Sequence, residues 1–147
     1  MQIKDGFLVQ APLETVWDFL LNIEEMAQCV PGVDSVEAIG DDSYVGIIKV
    51  KVGPIAAAFN GTVTLKETEA PHRIVADITG DDPTSATAVK AAFESILEAV
   101  DGGTQVNYEM DVNLRGRLAQ FGSAIVRATA KKMTAQFADN LRAQLES

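Results

Sequence analysis

Few side chains in this sequence are of the types that do acid–base or nucleophilic chemistry. His72 is the only histidine and stands beside Pro71 in a turn segment, which favours a solvent-facing residue over a general base. Cys29 is the only cysteine, so an internal disulfide is excluded and a reducing compartment fits. Its place at a helix end, before a proline, reads as small apolar filler rather than as a reactive thiol. One histidine and one distant cysteine make no zinc set, so no metal site is expected. Asp81 and Asp82 read as a solvated loop rather than as a cation site or an acid–base couple, because adjacent side chains on an extended backbone diverge. No G-x-S-x-G, P-loop or dinucleotide fingerprint is present, and Gly102-Gly103 reads as a hairpin turn. No catalytic residue is assigned; the residue types favour binding.

The binding chemistry centres on the last stretch, Arg115 to Ser147. Phe121, Ile125, Thr129, Met133, Phe137, Leu141 and Leu145 recur every fourth position, with Leu118 and Gly122 interleaved. This is a helical apolar stripe about 42 Å long. A step of four overshoots a turn by about 40°, so the stripe walks round the helix and its two halves face different surroundings. Small residues in the first half leave volume. The expected ligand cavity is lined by Leu118, Phe121, Gly122, Ile125, Thr129 and Met133, with Phe59, Val63, Ile78 and Phe93 supplied by strands. Close sheet–helix packing is the competing reading. Such a lining suits an apolar guest, with the Thr129 hydroxyl to orient one polar end. Phe137 to Leu145 is expected to fasten the helix. At the mouth, Lys49 and Lys51 point the same way on a strand, and Arg115 and Arg117 open the helix. With the Gly53-Pro54-Ile55 turn, whose Ile55 would form a docking tip, they make a basic rim for lipid headgroups or an acidic partner. Ordinary solvated charges are the competing reading, and Trp17 is expected in the core.

The elements that position these residues follow from pattern. Gln2–Gln10 reads as a strand, Leu13–Leu21 as a helix with Pro12 in its first turn, and Asn22 as the cap of a second short helix ending at Val30-Pro31-Gly32. Val33–Gly40, Tyr44–Val52, Ile55–Glu67 and Arg73–Thr79 read as strands, with Gly61 as a bulge or bend and Gly80–Ser85 as a loop. Ala86–Val100 is ambiguous by composition. The Asp101-Gly102-Gly103 turn into the strand Thr104–Leu114 favours strand from about Ala91 to Val100. Strands in a meander with grouped helices make an α+β domain, in which the long helix covers the buried face of the sheet and the short helices plug one edge or end.

The 147 residues are the size of one domain, 1–147, and their hydrophobic content of 47% supports a core. Twelve basic against twenty-one acidic residues give a net charge of −9, which excludes nucleic acid as the expected partner. No signal peptide and no apolar run of spanning length is present, so a cytoplasmic protein with at most peripheral membrane contact is expected.

The element order is that of the helix-grip, or START-like, fold, in which a curved antiparallel sheet wraps a long C-terminal helix. Three motifs narrow the resemblance. Cys29-Val30-Pro31-Gly32 looks like a C-x-P-G element. Lys49-Val50-Lys51-Val52-Gly53-Pro54-Ile55 followed by Phe59-Asn60-Gly61 looks like a K-V-G-P-x turn and an F-x-G strand. Gly116-Arg117-Leu118-Ala119-Gln120-Phe121-Gly122-Ser123 with Ala130-Lys131-Lys132 resembles a helix-opening signature. Together, over essentially the whole chain, they resemble the carbon monoxide dehydrogenase G-subunit family. The resemblance implies a non-catalytic protein without a covalent cofactor, binding a quinone-like molecule and recruiting an aerobic CO-dehydrogenase-type molybdenum hydroxylase to the inner face of the membrane. Two features depart from the family pattern. Its often glycine-rich loop carries Asp81, Asp82 and Pro83 here, and where many members continue into an Ala/Pro-rich anchoring tail the given sequence stops at Ser147, so that either the anchor is lacking or the tail lies outside the given sequence. Two alternatives belong to other classes. A small helix-grip enzyme of the polyketide cyclase or hydrolase type would require Asp77, Glu94 or Tyr108 to point inward. A structural assembly factor would have a filled core.

Overall fold

The computed structural model describes residues 1–146. β1 (Gln2–Val9), α1 (Leu13–Leu21), α2 (Ile23–Ala27), β2 (Val33–Ala38), β3 (Ser43–Val52), β4 (Ile55–Glu69), β5 (Arg73–Asp82), β6 (Thr87–Val100) and β7 (Gly103–Arg115) come first. A 3-10 helix (Arg117–Phe121) and α3 (Ser123–Leu145) follow. The strands form one curved antiparallel sheet of seven in the order β1-β7-β6-β5-β4-β3-β2. The expected α+β helix-grip architecture is present.

The register identifies the concave face, because paired residues share a face and alternate residues along a strand return to it. Tyr44, Val63, Ile78, Ala91 and Val112 form one cross-strand row. Leu65, Ala76, Phe93, Met110 and Ile3 form the next. Ile74, Ser95, Tyr108 and Asp5 form a third. The two ends of this face are filled. At one end, α1 packs Val16, Trp17 and Leu20 against Val9, Ile74, Leu97, Val106 and Leu141. At the other, Leu118 of the 3-10 helix sits on Val52, Ala57 and Phe59.

The structure corrects several expectations about the elements. Strand β6 reaches back to Thr87, and β5 continues through Gly80, Asp81 and Asp82, which pair with Val89, Ala88 and Thr87. The Gly80–Ser85 segment is therefore half strand and half turn: its alanine-rich partner could not be told from helix by composition. Gly61 is no bulge; it pairs in unbroken register with Gly46 and Gly80, and the irregularity falls between Leu65 and Glu67. The terminal stretch is not one helix. Gly116 and Gly122 take φ values of 99° and 84°, and Gly122, with ψ at 164°, cannot continue an α-helix. The break frees the walking stripe from following one surface: Leu118 and Phe121 are presented by the 3-10 helix, and Ile125 to Leu145 by α3, which is about 35 Å long.

Asp82 is also a correction. It is buried rather than solvated, and it anchors a polar network beneath the 3-10 helix. The Ser85 hydroxyl donates to its carboxylate at 2.7 Å and the Thr84 N–H at 3.1 Å. The Leu118 N–H donates to Thr87 Oγ1 at 3.3 Å, and the Thr87 and Ser85 hydroxyls are 2.9 Å apart. The Ser85 hydroxyl, helped by backbone N–H groups and opposed by burial, holds the carboxyl below its ordinary range. A depressed carboxyl contributes stability above its unfolded-state pKa, about 3.9, and loses it as pH falls through the folded value. Asp82→Asn is expected to lower the melting temperature at pH 7. The gap to the native protein should narrow below about pH 4 and close once the native carboxyl protonates. A gap independent of pH would assign the loss to shape rather than charge.

Candidate functional site

Between the two filled ends, the concave face is only partly covered. In α3 the buried side chains are Ala138 and Leu141, both in its second half. There Phe137 meets the Phe7 ring edge-on, with centroids 6.0 Å apart, and the Asn140 amide donates to the Cys29 carbonyl at 2.9 Å. The first half contributes no buried residue, and Ile125 is 40% exposed. The helix runs beside the β1 edge: Arg127 Nε donates to Gln2 O at 3.2 Å and Arg142 Nε to Leu8 O at 2.9 Å. Ala130 packs on Ile3, Ala91 and Val112. Met133 follows on the same face, by spacing of three from Ala130 and four from Phe137. Tyr44, Val63, Leu65, Ile78, Phe93 and Met110 all face this middle zone and are only half-buried. This half-covered apolar strip between the first half of α3 and the middle of the sheet forms a shallow groove.

A row of glycines deepens its floor. Gly46, Gly61 and Gly80 pair directly across β3, β4 and β5. A Cβ at Gly61 would meet only Thr79 O at 3.6 Å and Gly46 O at 3.9 Å, ordinary contact distances. The row lies between the Leu118 plug and the Val63–Ile78 pair, where side chains would fill the space. A separate cavity of about 410 Å³ opens at the β7 edge beside Met1, lined by Asp111, Val112, Asn113 and Leu114 of β7 and by Ala119, Gly122, Ser123 and Val126; its lining is partly polar and does not include the groove side chains Val63, Ile78, Phe93 or Met133. A second, more open one lies on the far side of the 3-10 helix, against Ser85, Gly116, Arg117 and Gln120.

The candidate residues fall into separate groups. Val63, Ile78, Phe93, Thr129 and Met133 are half-buried around the groove, and Gly122 lines the separate cavity at the β7 edge. Leu118 and Phe59 are not groove wall; they are buried against each other as the plug, with Phe121 packed at its margin. Phe121 lies over Gly53, with ring carbons 3.6 Å from where a Cβ would stand. Ile125 points to solvent, and the Thr129 hydroxyl is engaged by the Ile125 carbonyl at 3.0 Å. Ile55 is not a protruding tip, since it is half-buried against the plug. Gly53, Pro54, Lys51, Arg115 and Arg117 are exposed at the plugged end, whereas Lys49 is paired with Asp34 at 3.0 Å on the convex face.

Candidate acid–base groups are engaged elsewhere. His72 Nδ1 lies 2.9 Å from the Leu97 carbonyl at the surface. Asp77 pairs with Lys66, and Glu94 with Arg73, on the convex face. Cys29 is buried, and burial raises its thiol pKa. Tyr108 differs: it faces the groove, its hydroxyl is bonded to Thr134, and its ring stacks on Phe93 at 5.8 Å. Burial, with a smaller push from the Asp5 charge, raises the phenol pKa. It is thus a protonated phenol rather than a base.

Sequence reading missed three features: the glycine row, the Tyr108–Thr134 pair and a basic stretch. The row is visible only once the hairpin registers are known. Tyr108 shares a period of two with Val106, Met110 and Val112, which was the available signal. From Val112 to Ala138 there is no acid, while Arg115, Arg117, Arg127, Lys131 and Lys132 all fall there, in a chain of net charge −9.

Among the described residues no helix is long and apolar enough to cross a membrane. A comparison with curated proteins gave no match. Solved structures share the fold. A conserved protein from Geobacillus kaustophilus superposes with a TM-score of 0.90 at 19% identity, over 98% of this chain and 94% of that one. A START superfamily protein from Mycobacterium smegmatis gives 0.75 at 14% identity, over 99% and 97%. The Zhui aromatase/cyclase from Streptomyces sp. R1128 gives 0.70 at 16%, over 98% and 92%. The sequence pattern of one family matches residues 6–146, nearly the whole chain. With its helix-grip fold, its partly covered groove and the three motifs in order, the chain belongs to the carbon monoxide dehydrogenase G-subunit (CoxG) family.

Proposed function

We propose that this protein is a non-catalytic carrier that holds an apolar, quinone-like molecule in the groove between α3 and the sheet. In this role it links a CO-dehydrogenase-type molybdenum hydroxylase to the inner face of the membrane. The observation that carries the reading is the half-open middle of the concave face, lined by apolar side chains between two filled ends. A protein that needed only a core would fill this zone, since apolar burial stabilises by about 25 cal/mol per Å². The acid-free stretch supports the docking half. Lys131 and Lys132 are exposed on the first half of α3, as Ile125 is, and Arg115 and Arg117 flank the plug. Cations around an apolar opening suit an anionic lipid surface or an acidic partner. The hydroxylase partner rests on the family description. The protein would act in the cytoplasm, peripheral to the membrane.

Gly61→Leu tests the carrier role. The site has room for a Cβ and its backbone is not in the left-handed region, so the fold should survive with an unchanged or slightly raised melting temperature. The leucine side chain would occupy the groove floor. Native mass spectrometry of protein freshly purified from its own cells should find an apolar adduct on the native form and none on the variant, with both pulling down the hydroxylase. An adduct that persists on the variant would place the guest elsewhere; no adduct on either would remove the carrier reading.

A cyclase-type enzyme is the second reading, favoured by one observation: Tyr108 faces the groove, as the enzyme alternative required. A raised phenol suits an acid or an anchor. Turnover of an aromatic polyketide that is lost in Tyr108→Phe would support it.

A further inference from the structure

Tyr108 and Thr134 carry two hydroxyl protons between them, and their mutual bond uses one. Among the described residues neither oxygen has a second protein partner. One O–H is therefore left to donate into the groove. The pair is half-buried, with Met110 two residues along β7 and Met133 next to Thr134 on α3. The Tyr108 ring is stacked on Phe93, with an interplanar angle of 25°. Asp5 stands on the same cross-strand row, paired with Tyr108, and its carboxylate accepts the Gly6 N–H at 2.8 Å. A fixed negative charge there disfavours an anionic guest.

We propose that the Tyr108–Thr134 hydroxyl pair is the polar anchor of the groove, and that with Phe93 it selects a neutral, planar guest bearing a carbonyl oxygen over one that lacks it. The inference rests on the groove being a ligand site and adds what the ligand must carry. The aromatic pair supplies a flat apolar face beside the donor, so a ring-conjugated carbonyl can stack and accept a hydrogen bond together. A guest without the oxygen leaves the surplus proton unpaired in an apolar surrounding, which is the stronger half of the discrimination. Burial of the phenol, which keeps it protonated, works in the same direction.

Fluorenone and fluorene are a matched test pair: both are planar, and one methylene replaces the carbonyl. Each is titrated into the protein carrying 13C-labelled methionine methyls, in the native form, Tyr108→Phe and Thr134→Val. Of the four methionines, Met110 and Met133 border the groove and Met26 packs in the α1 core. Binding in the groove shifts the first two and leaves Met26 in place. The native protein should bind fluorenone about tenfold more tightly than fluorene. Tyr108→Phe should bring the ratio close to one, because the Thr134 hydroxyl, without its partner, can turn back onto the helix carbonyl four residues earlier, as Thr129 does onto Ile125. Thr134→Val, which leaves the tyrosine proton free, should keep it. Equal affinities in the native protein, with Met110 and Met133 shifting, would overturn the anchor while leaving the groove standing. So would a Tyr108→Phe protein that keeps the tenfold preference. Affinity for neither probe, or shifts confined to Met26, would overturn the groove reading and the anchor with it. The native ratio needs no variant, so the test survives a substitution that fails to fold.

Discussion

Leu141→Ala is expected to lower the unfolding free energy by about 3 kcal/mol, while Ile125→Ala changes it by less than about 0.5 kcal/mol. Both residues lie on the same stripe of α3, sixteen positions apart in a pattern that repeats every four. Their surroundings are opposite. Leu141 is fully buried among Trp17, Leu97 and Val106, under α1, where close packing leaves a cavity when a side chain is truncated. Ile125 is 40% exposed on the uncovered half. The contrast measures directly that α3 is fastened by its second half. Denaturant melts of the two variants check it, and hydrogen exchange should find residues 124–132 opening more readily than 136–143. Similar losses at both positions would mean that the first half is packed in solution, and the groove would have no open side.

The sequence carried the alternating strands and the length of the terminal stretch clearly, because period-two and period-four patterns survive without knowledge of partners. It did not carry the break at Gly122. A glycine within a helical stripe has two readings, a gap in the helix wall or the end of the helix. Only the φ of 84° decides between them. The groove residues were half legible for the same reason. Val63, Ile78 and Phe93 lie on the concave face as their apolar character suggested, but Phe59 and Leu118, of like character, meet each other instead. Apolarity marks a residue as inward-facing and cannot tell a plug from a wall. Asp82 was misread because charge predicts exposure on average, whereas this carboxylate has local donors from Ser85 and Thr84 that replace water. The glycine row and the Tyr108–Thr134 bond depend on register and on a tertiary approach across 26 positions. The row and the bond themselves leave no local trace; only the inward-facing period of Tyr108 does.

Gly116→Ala should be the most damaging of the glycine substitutions at the plugged end, with a loss of about 3 kcal/mol or more, against about 1 kcal/mol for Gly122→Ala. Both glycines have left-handed φ, so each alanine meets the same backbone strain. Space separates them. A Cβ at Gly122 has no neighbour within 4 Å. At Gly116 it would stand 1.9 Å from the Ala86 carbonyl oxygen and 2.8 Å from the Thr87 Cα, both backbone atoms of the β5–β6 turn. Relief requires the turn and the 3-10 helix to move apart. That movement would break the bond from the Leu118 N–H to Thr87 Oγ1 and lift Leu118, only 1% exposed, from its seat on Val52, Ala57 and Phe59. The damage should therefore be local as well as global. The Gly116 variant is expected to lose its plug before it unfolds, exposing Phe59 and speeding release of any groove ligand, while the α1 end keeps the Trp17 environment. Tryptophan fluorescence follows the α1 end, since Trp17 is the single tryptophan, and ligand dissociation rates follow the plug. Two coincident transitions in the Gly116 variant would mean that plug and core form one cooperative unit. An early plug transition would make the 3-10 helix the separately moving closure of the groove.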